Sequence, residues 1–170
     1  MSVRGWIGWT AATLVVALAV HFASMWYLPR LVMSRALAQM GAVNTIHHGK
    51  RADASAHGVV RPSPDLLYSV CPFDLSRAAL RVTAPVPRGT YWSVSMFDDA
   101  TNNFFVLNDA HANGAVDFIV VPADWEKPMP YRLVRSPSVR GLVVFRTLIN
   151  DERNLAAIDA ARRKAKCAPL

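Results

Sequence analysis

The sequence predicts a mainly β protein. A single N-terminal transmembrane helix leads into a β-sandwich or jelly-roll-like domain, which a C-terminal helix closes. Three observations carry this expectation. The run from Trp6 to Leu28 holds no formal charge. From residue 65 the apolar period changes from helical to two. After the last alternating run, Asn150 or Asp151 is placed to cap a helix.

The N-terminal run (WIGWTAATLVVALAVHFASMWYL) covers 23 residues. At 1.5 Å per residue it spans roughly 34 Å, enough for a ~30 Å hydrocarbon core with some tilt. Trp6 and Trp9 at one end, and Trp26 and Tyr27 at the other, match the aromatic belts of the two membrane interfaces. Pro29 ends or bends the helix and Arg30 marks its exit. The competing reading is a cleaved signal peptide, with Arg4 as its basic flank and Ala17-Leu18-Ala19 as a small-x-small site. Against it, the apolar run continues to Leu28. His21 is the only side chain in the span that titrates near neutral pH, and a neutral polar residue is tolerated there. Cations divide almost evenly between Arg4 with the amino terminus on one side and Arg30 and Arg35 on the other, so charge leaves the orientation open. The expected segments are an anchor over 1–29, a juxtamembrane helix and linker over 30–61, and the β domain over 62–170.

Residues 30–41 read as a short amphipathic helix ended by Gly41, and 42–64 as a polar linker. The adjacent His47 and His48, with His57 further on, invite a metal reading. No third ligand is in view, and no metal is expected. Seven strand-like runs follow: 66–70, 79–84, 90–97, 103–107, 116–121, 131–135 and 141–149. Between them lie Pro87 and Gly89, Asp98-Asp99, Asn108-Asp109, Asn113-Gly114 and Pro137. Short strands at this spacing suggest two stacked sheets. The closing helix is expected over ERNLAAIDAARRKAKC, with Leu155, Ile158 and Ala161 facing inward.

The chain is 52% hydrophobic with a formal net charge of +7. Part of the charge surplus sits in Arg162, Arg163, Lys164 and Lys166. These read as a solvated helix end favouring the C-terminal dipole, or as a contact for anionic lipid; nucleic acid is not expected. No phosphate loop, cofactor motif or nucleophile elbow is present, and no cofactor is expected.

Several residues stand as candidates for chemistry. Asp98, Asp99, Asn102 and Asn103 could offer oxygen ligands to a hard cation, although these residue types also make hairpin turns. Asp109 and His111 could form an acid–base pair. Arg146 shares a strand face with Leu142, Val144 and Leu148, so a buried ion pair with Asp74 or Asp98 is expected. Cys71 and Cys167 fit either two reduced thiols or one disulfide in an oxidising compartment. The disulfide is the expectation, and with it a domain facing the periplasm.

Leu67-Tyr68-Ser69 leading to Asp74-Leu75-Ser76, then Val82 to Pro87, Tyr91-Trp92-Ser93-Val94 with Phe97-Asp98, Thr101-Asn102-Asn103-Phe104, Arg135-Ser136-Pro137 and Arg146-Thr147-Leu148 stand in an ordered series. In that order and spacing they resemble the domain-of-unknown-function 1254 (DUF1254) family, in a short membrane-anchored bacterial form. The resemblance implies an envelope β-sandwich and no established reaction. Larger members join this domain to a second module, domain of unknown function 1214 (DUF1214), which implies a separate partner chain carrying it. The expected function is a docking module on the bacterial inner membrane. An envelope hydrolase, or a small-ligand or lipid binder using the 98–111 loops, is the competing reading.

Overall fold

The computed structural model describes residues 3–53, 62–112 and 114–170. Helix α1 runs without a break from Val3 to Gln39 and contains Pro29. The separate amphipathic helix expected after Pro29 is therefore the continuation of α1. Proline removes one backbone donor, the one opposite the Met25 carbonyl, and in the adjoining position Arg30 Nη1 donates to the Trp26 carbonyl at 2.8 Å. Gly41, at φ 82°, turns the chain away after the last helical residues.

The strands form two sheets. Sheet A has the order β1 (His47–His48), β2 (Leu66–Asp74), β8 (Arg140–Leu148), β4 (Trp92–Phe97), β5 (Asn103–Asn108). Sheet B has the order β7 (Arg132–Ser136), β6 (Ala115–Pro122), β3 (Leu80–Pro85), β9 (Lys166–Pro169). All pairings are antiparallel except β6 with β7. Alternation explains the layers. Cys71 and Phe73 of β2, Trp92, Val94 and Met96 of β4, and Val143 and Phe145 of β8 point between the sheets. They meet Leu80, Val82 and Ala84 of β3 and Val116, Phe118 and Val120 of β6 in one continuous core.

Both outer faces are also covered. Met33 of α1 is buried against Leu142 and Val144 of β8, with Leu37, Met40, Tyr68, Val70 and Phe97 around them. On sheet B, Trp125, Met129 and Leu133 lie over Ala79, Ile119 and Val121. Strand β8 is thus apolar on both faces, which is why it reads as a nearly unbroken run (GLVVF) rather than an alternating one.

Two parts of the sequence fold otherwise than expected. The histidines of the linker pair with Val70 and Ser69 as β1 at the edge of sheet A. The closing helix is short: a 3₁₀ turn, Glu152–Asn154, leads into α2, Leu155–Arg162. The chain then returns as β9, so Cys167 lies on a strand opposite Val82 and not at a helix end.

Cys71 and Cys167 are joined, with Cα atoms 6.6 Å apart and a sequence separation of 96. The bond crosses the sandwich from β2 to β9. A loop of this length gives about 4–5 kcal/mol in the chain-entropy model, less any strain. Cys167→Ala is expected to destabilise the domain by about 4 kcal/mol in denaturant unfolding; a loss below about 1 kcal/mol would contradict this account.

Candidate functional site

Asp98 lies in the β4–β5 hairpin, whose residue Thr101 takes φ 65°. Its Oδ1 accepts from the backbone N–H groups of Ala100 at 2.9 Å and Asn102 at 2.8 Å, and its Oδ2 accepts from Asn102 Nδ2 at 2.9 Å. The carboxylate is buried, and it is the internal scaffold of the turn. Asp99 is exposed, and its N–H donates to Ser138 Oγ at 3.0 Å. Asn103 opens β5 opposite Phe97, where the register shifts.

Asp109 and His111 sit at the other end of β5. Asp109 Oδ1 accepts from the Trp92 N–H at 3.2 Å, while His111 Nδ1 bonds Asn108 Oδ1 at 2.6 Å. The aspartate closes the hairpin end and the imidazole has a different partner, so the two do not form the expected pair. The two loops are separated by the length of a six-residue strand, roughly 17–20 Å. The structure therefore does not gather the 98–111 residues into one site. Asn113 and His57 lie outside the described residues.

The ion-pair expectation for Arg146 is corrected. Its face, shared with Leu142 and Val144, is the outer face of sheet A, and its Nη1 donates to Ser95 Oγ at 3.0 Å. Asp74 instead bonds Arg140 Nε at 2.8 Å, and Asp98 is held by its own turn. A bond from the Ser76 side chain first, and then the Ser76 N–H and the Arg140 guanidinium, hold the Asp74 carboxyl below its ordinary range against the opposing effect of burial.

The buried cation is Arg162. It pairs with Asp159, and its Nη1 donates to the carbonyls of Gly49 at 3.0 Å and Tyr68 at 2.6 Å. Its side chain is 3% exposed. Arg162 thus leaves the expected basic tract and clamps α2 to the β1–β2 edge. A signal was present: Leu155, Ile158 and Arg162 share one helical stripe, with Asp159 one turn before Arg162. Burial raises the Asp159 carboxyl, but bonds from Arg163 and Arg162 outweigh it and hold the pKa low. Nearby, His48 Nδ1 bonds Ser69 Oγ at 2.8 Å. Burial first, and then the Arg162 charge, push its pKa below 6.5.

Two open cavities frame the sandwich. One of about 670 Å³ lies at the end holding Asp109, beside Arg88, Tyr91 and Asn150. The other, of about 1120 Å³, lies at the opposite end, where α1 meets the strand ends at Asp74 and Arg140 and the loop holding Asp99. Among the described residues no group of three or more His, Cys, Asp or Glu side chains could hold a metal ion.

Because His48 titrates lower in the folded chain than its unfolded value near 6.5, the unfolded chain takes up more protons as pH falls. Stability from this group is present above that value and is lost as pH drops through the folded pKa. His48→Gln is expected to flatten the fall in melting temperature between pH 7 and 5; an unchanged slope contradicts this. Asp98→Ala leaves two backbone donors of the turn unpartnered and should cost about 3 kcal/mol, against within about 0.5 kcal/mol for exposed Asp99→Ala. Equal effects in denaturant unfolding would contradict the assignment of Asp98 as the scaffold.

The solved structure of the VPA0106 protein from Vibrio parahaemolyticus resembles this chain with a TM-score of 0.66 at 14% identity, covering 86% of this chain and 35% of its own. An uncharacterised protein from Burkholderia cenocepacia gives a TM-score of 0.53 at 18% identity, covering 87% of this chain and 41% of its own. These likenesses concern the fold, and this chain spans less than half of either solved protein. No curated protein matches. The family described as "Protein of unknown function (DUF1254)" matches residues 43–169, the whole sandwich from the turn before β1 to the end of β9, and the chain belongs to that family.

Proposed function

We propose that the chain is a tethered docking module. In this reading α1 holds the sandwich at the periplasmic face of the bacterial inner membrane, and the free edge of β5 receives a second protein. One observation carries it. Strand β5 ends sheet A, and its residues (NFFVLN) include no charge and no proline. Val106 on it is 59% exposed. An edge strand without such guards is a template for pairing with another chain.

The other edges are protected. At β1 the Arg162 clamp brings α2 alongside, β9 carries Lys166 and Pro169, and β7 carries Arg132 and Arg135. Arg132 also lies over the Phe105 ring, 5.4 Å from its centroid, so the inner face of β5 is covered, while among the described residues no further strand pairs with its edge.

The Val3–Gln39 helix supports the membrane part of the reading, being long and apolar enough to cross a bilayer, with its apolar window exposed. The Cys71–Cys167 bond supports the periplasm, where disulfides persist. The partner proposed is a protein carrying the second module, domain of unknown function 1214, that the family resemblance implies. Confinement to one surface raises the effective concentration of the two chains for each other.

A photo-crosslinking residue at Val106 in cells is expected to yield an adduct with a chain carrying that module, and one at Tyr91 is expected to yield none. Equal adducts from both positions, or none from Val106, would contradict docking at β5.

A further inference from the structure

The cavity of about 1120 Å³ lies just beyond the apolar stretch of α1. Leu28 ends that stretch, so Arg30 to Leu37 rise roughly 3 to 14 Å past it along the helix axis. Headgroups occupy about 5–7 Å on each side of the hydrocarbon. The helical wall of the cavity therefore begins at headgroup depth. Arg30 marks that level: its guanidinium lies 4.6 Å from the centroid of the Trp26 ring, in the aromatic belt.

The chemistry of the walls is mixed. Arg30 stands on the helix, Arg140 at the first residue of β8, and Asp99 on the β4–β5 loop. Arg140 engages Asp74 through Nε, yet its side chain is 69% exposed. Apolar groups lie beside these charges. Met33 and Leu37 form part of the helical wall, and Val43 and Val139 on the facing loops are 50% and 48% exposed. Two separated cations, carboxylates of opposite sign and apolar walls, at the depth of a headgroup, match one class of molecule.

We propose that this cavity binds one aminophospholipid of the membrane that α1 spans. The phosphate lies between Arg30 and Arg140, the ammonium faces Asp99, and an acyl chain runs down past Met33. The shared chemistry is a phosphodiester. The Asp99 carboxylate favours a headgroup bearing an ammonium, of no net charge, over one whose phosphate charge is uncompensated. The inference rests on the membrane reading of α1 and adds to it a lipid with a defined seat.

Native mass spectrometry of the full chain in mild detergent tests it. The protein is stripped of lipid and then given equal amounts of phosphatidylethanolamine and phosphatidylglycerol. The expected result is one retained phosphatidylethanolamine, about tenfold over phosphatidylglycerol. Arg30→Gln with Arg140→Gln should lower retention about tenfold, as loss of charge-assisted bonds predicts. Asp99→Asn, which leaves the backbone bond to Ser138 in place, should shift the preference toward phosphatidylglycerol. Glycerophosphoethanolamine, the headgroup without chains, should not displace the lipid at equal concentration. Displacement would assign the site to a soluble phosphodiester and overturn the proposal, as would equal retention by wild type and the double variant, or no preference between the lipids. The same spectrum separates the two readings. Full mass without a retained lipid overturns this inference alone, and a mass lacking residues 1–19 overturns the anchor with it.

Discussion

The packing of the last turns of α1 on the outer face of sheet A is the constraint from which most of the structure follows. Strand β8 turns Val143 and Phe145 into the sandwich and Leu142 and Val144 away from it. Left bare, that outer face would join Tyr68, Val70 and Phe97 in a contiguous apolar patch of the sort soluble domains avoid. Met33 and Leu37, one turn apart on α1, cover it together with Met40 just past the helix end. The covering needs α1 to stay helical beyond Pro29, and it sets the orientation of the sandwich relative to the helix. One end, with Asp74, Asp99 and Arg140, lies against the helix, and the other, with Asp109 and His111, lies away from it.

The far side of the fold is held differently. Among the described residues β1 is only two residues long and could not persist on ladder bonds alone. Asn44 adds to it by exchanging bonds with Asp74 from a φ of 57°, its Nδ2 donating to the Asp74 carbonyl and its Oδ1 accepting from the Asp74 N–H. Arg162 reaches the Gly49 and Tyr68 carbonyls from α2, and the disulfide carries β9 to β2. A buried guanidinium is tolerable there because Asp159 and two carbonyls satisfy it together. These links close one flank of the sandwich; among the described residues none of them reaches β5 at the other edge of sheet A.

The sandwich was legible in the sequence because its strands obey a period of two and their separators carry turn residues. The parts that escaped reading are those where period is uninformative. Strand β9 is four residues (KCAP) following the alanine-rich helix α2 and the residues Arg163-Lys164-Ala165, all good helix formers, so helical propensity extended the helix through it. His47 and His48 are too few to show alternation. Arg146 was placed on the correct face with Leu142 and Val144, but alternation in a strand apolar on both sides does not say which face is the interior. Arg162 was hidden by its neighbours: in a run of four cations nothing but the helical stripe marks the one that is buried. The polar loops were read correctly as loops. That they lie at opposite ends of β5 is a consequence of strand direction, visible once the hairpin is drawn.

The central claim is that α1 and sheet A form one packed unit. Hydrogen exchange on the full chain in detergent tests it most directly, with wild type compared to Val144→Asp, which places a charge under Met33. The account predicts that amides 31–40 exchange slowly in wild type and much faster in the variant, while β3 and β6 keep their protection. Unchanged exchange of 31–40 in the variant would show that the helix does not rest on the sheet and would contradict the account.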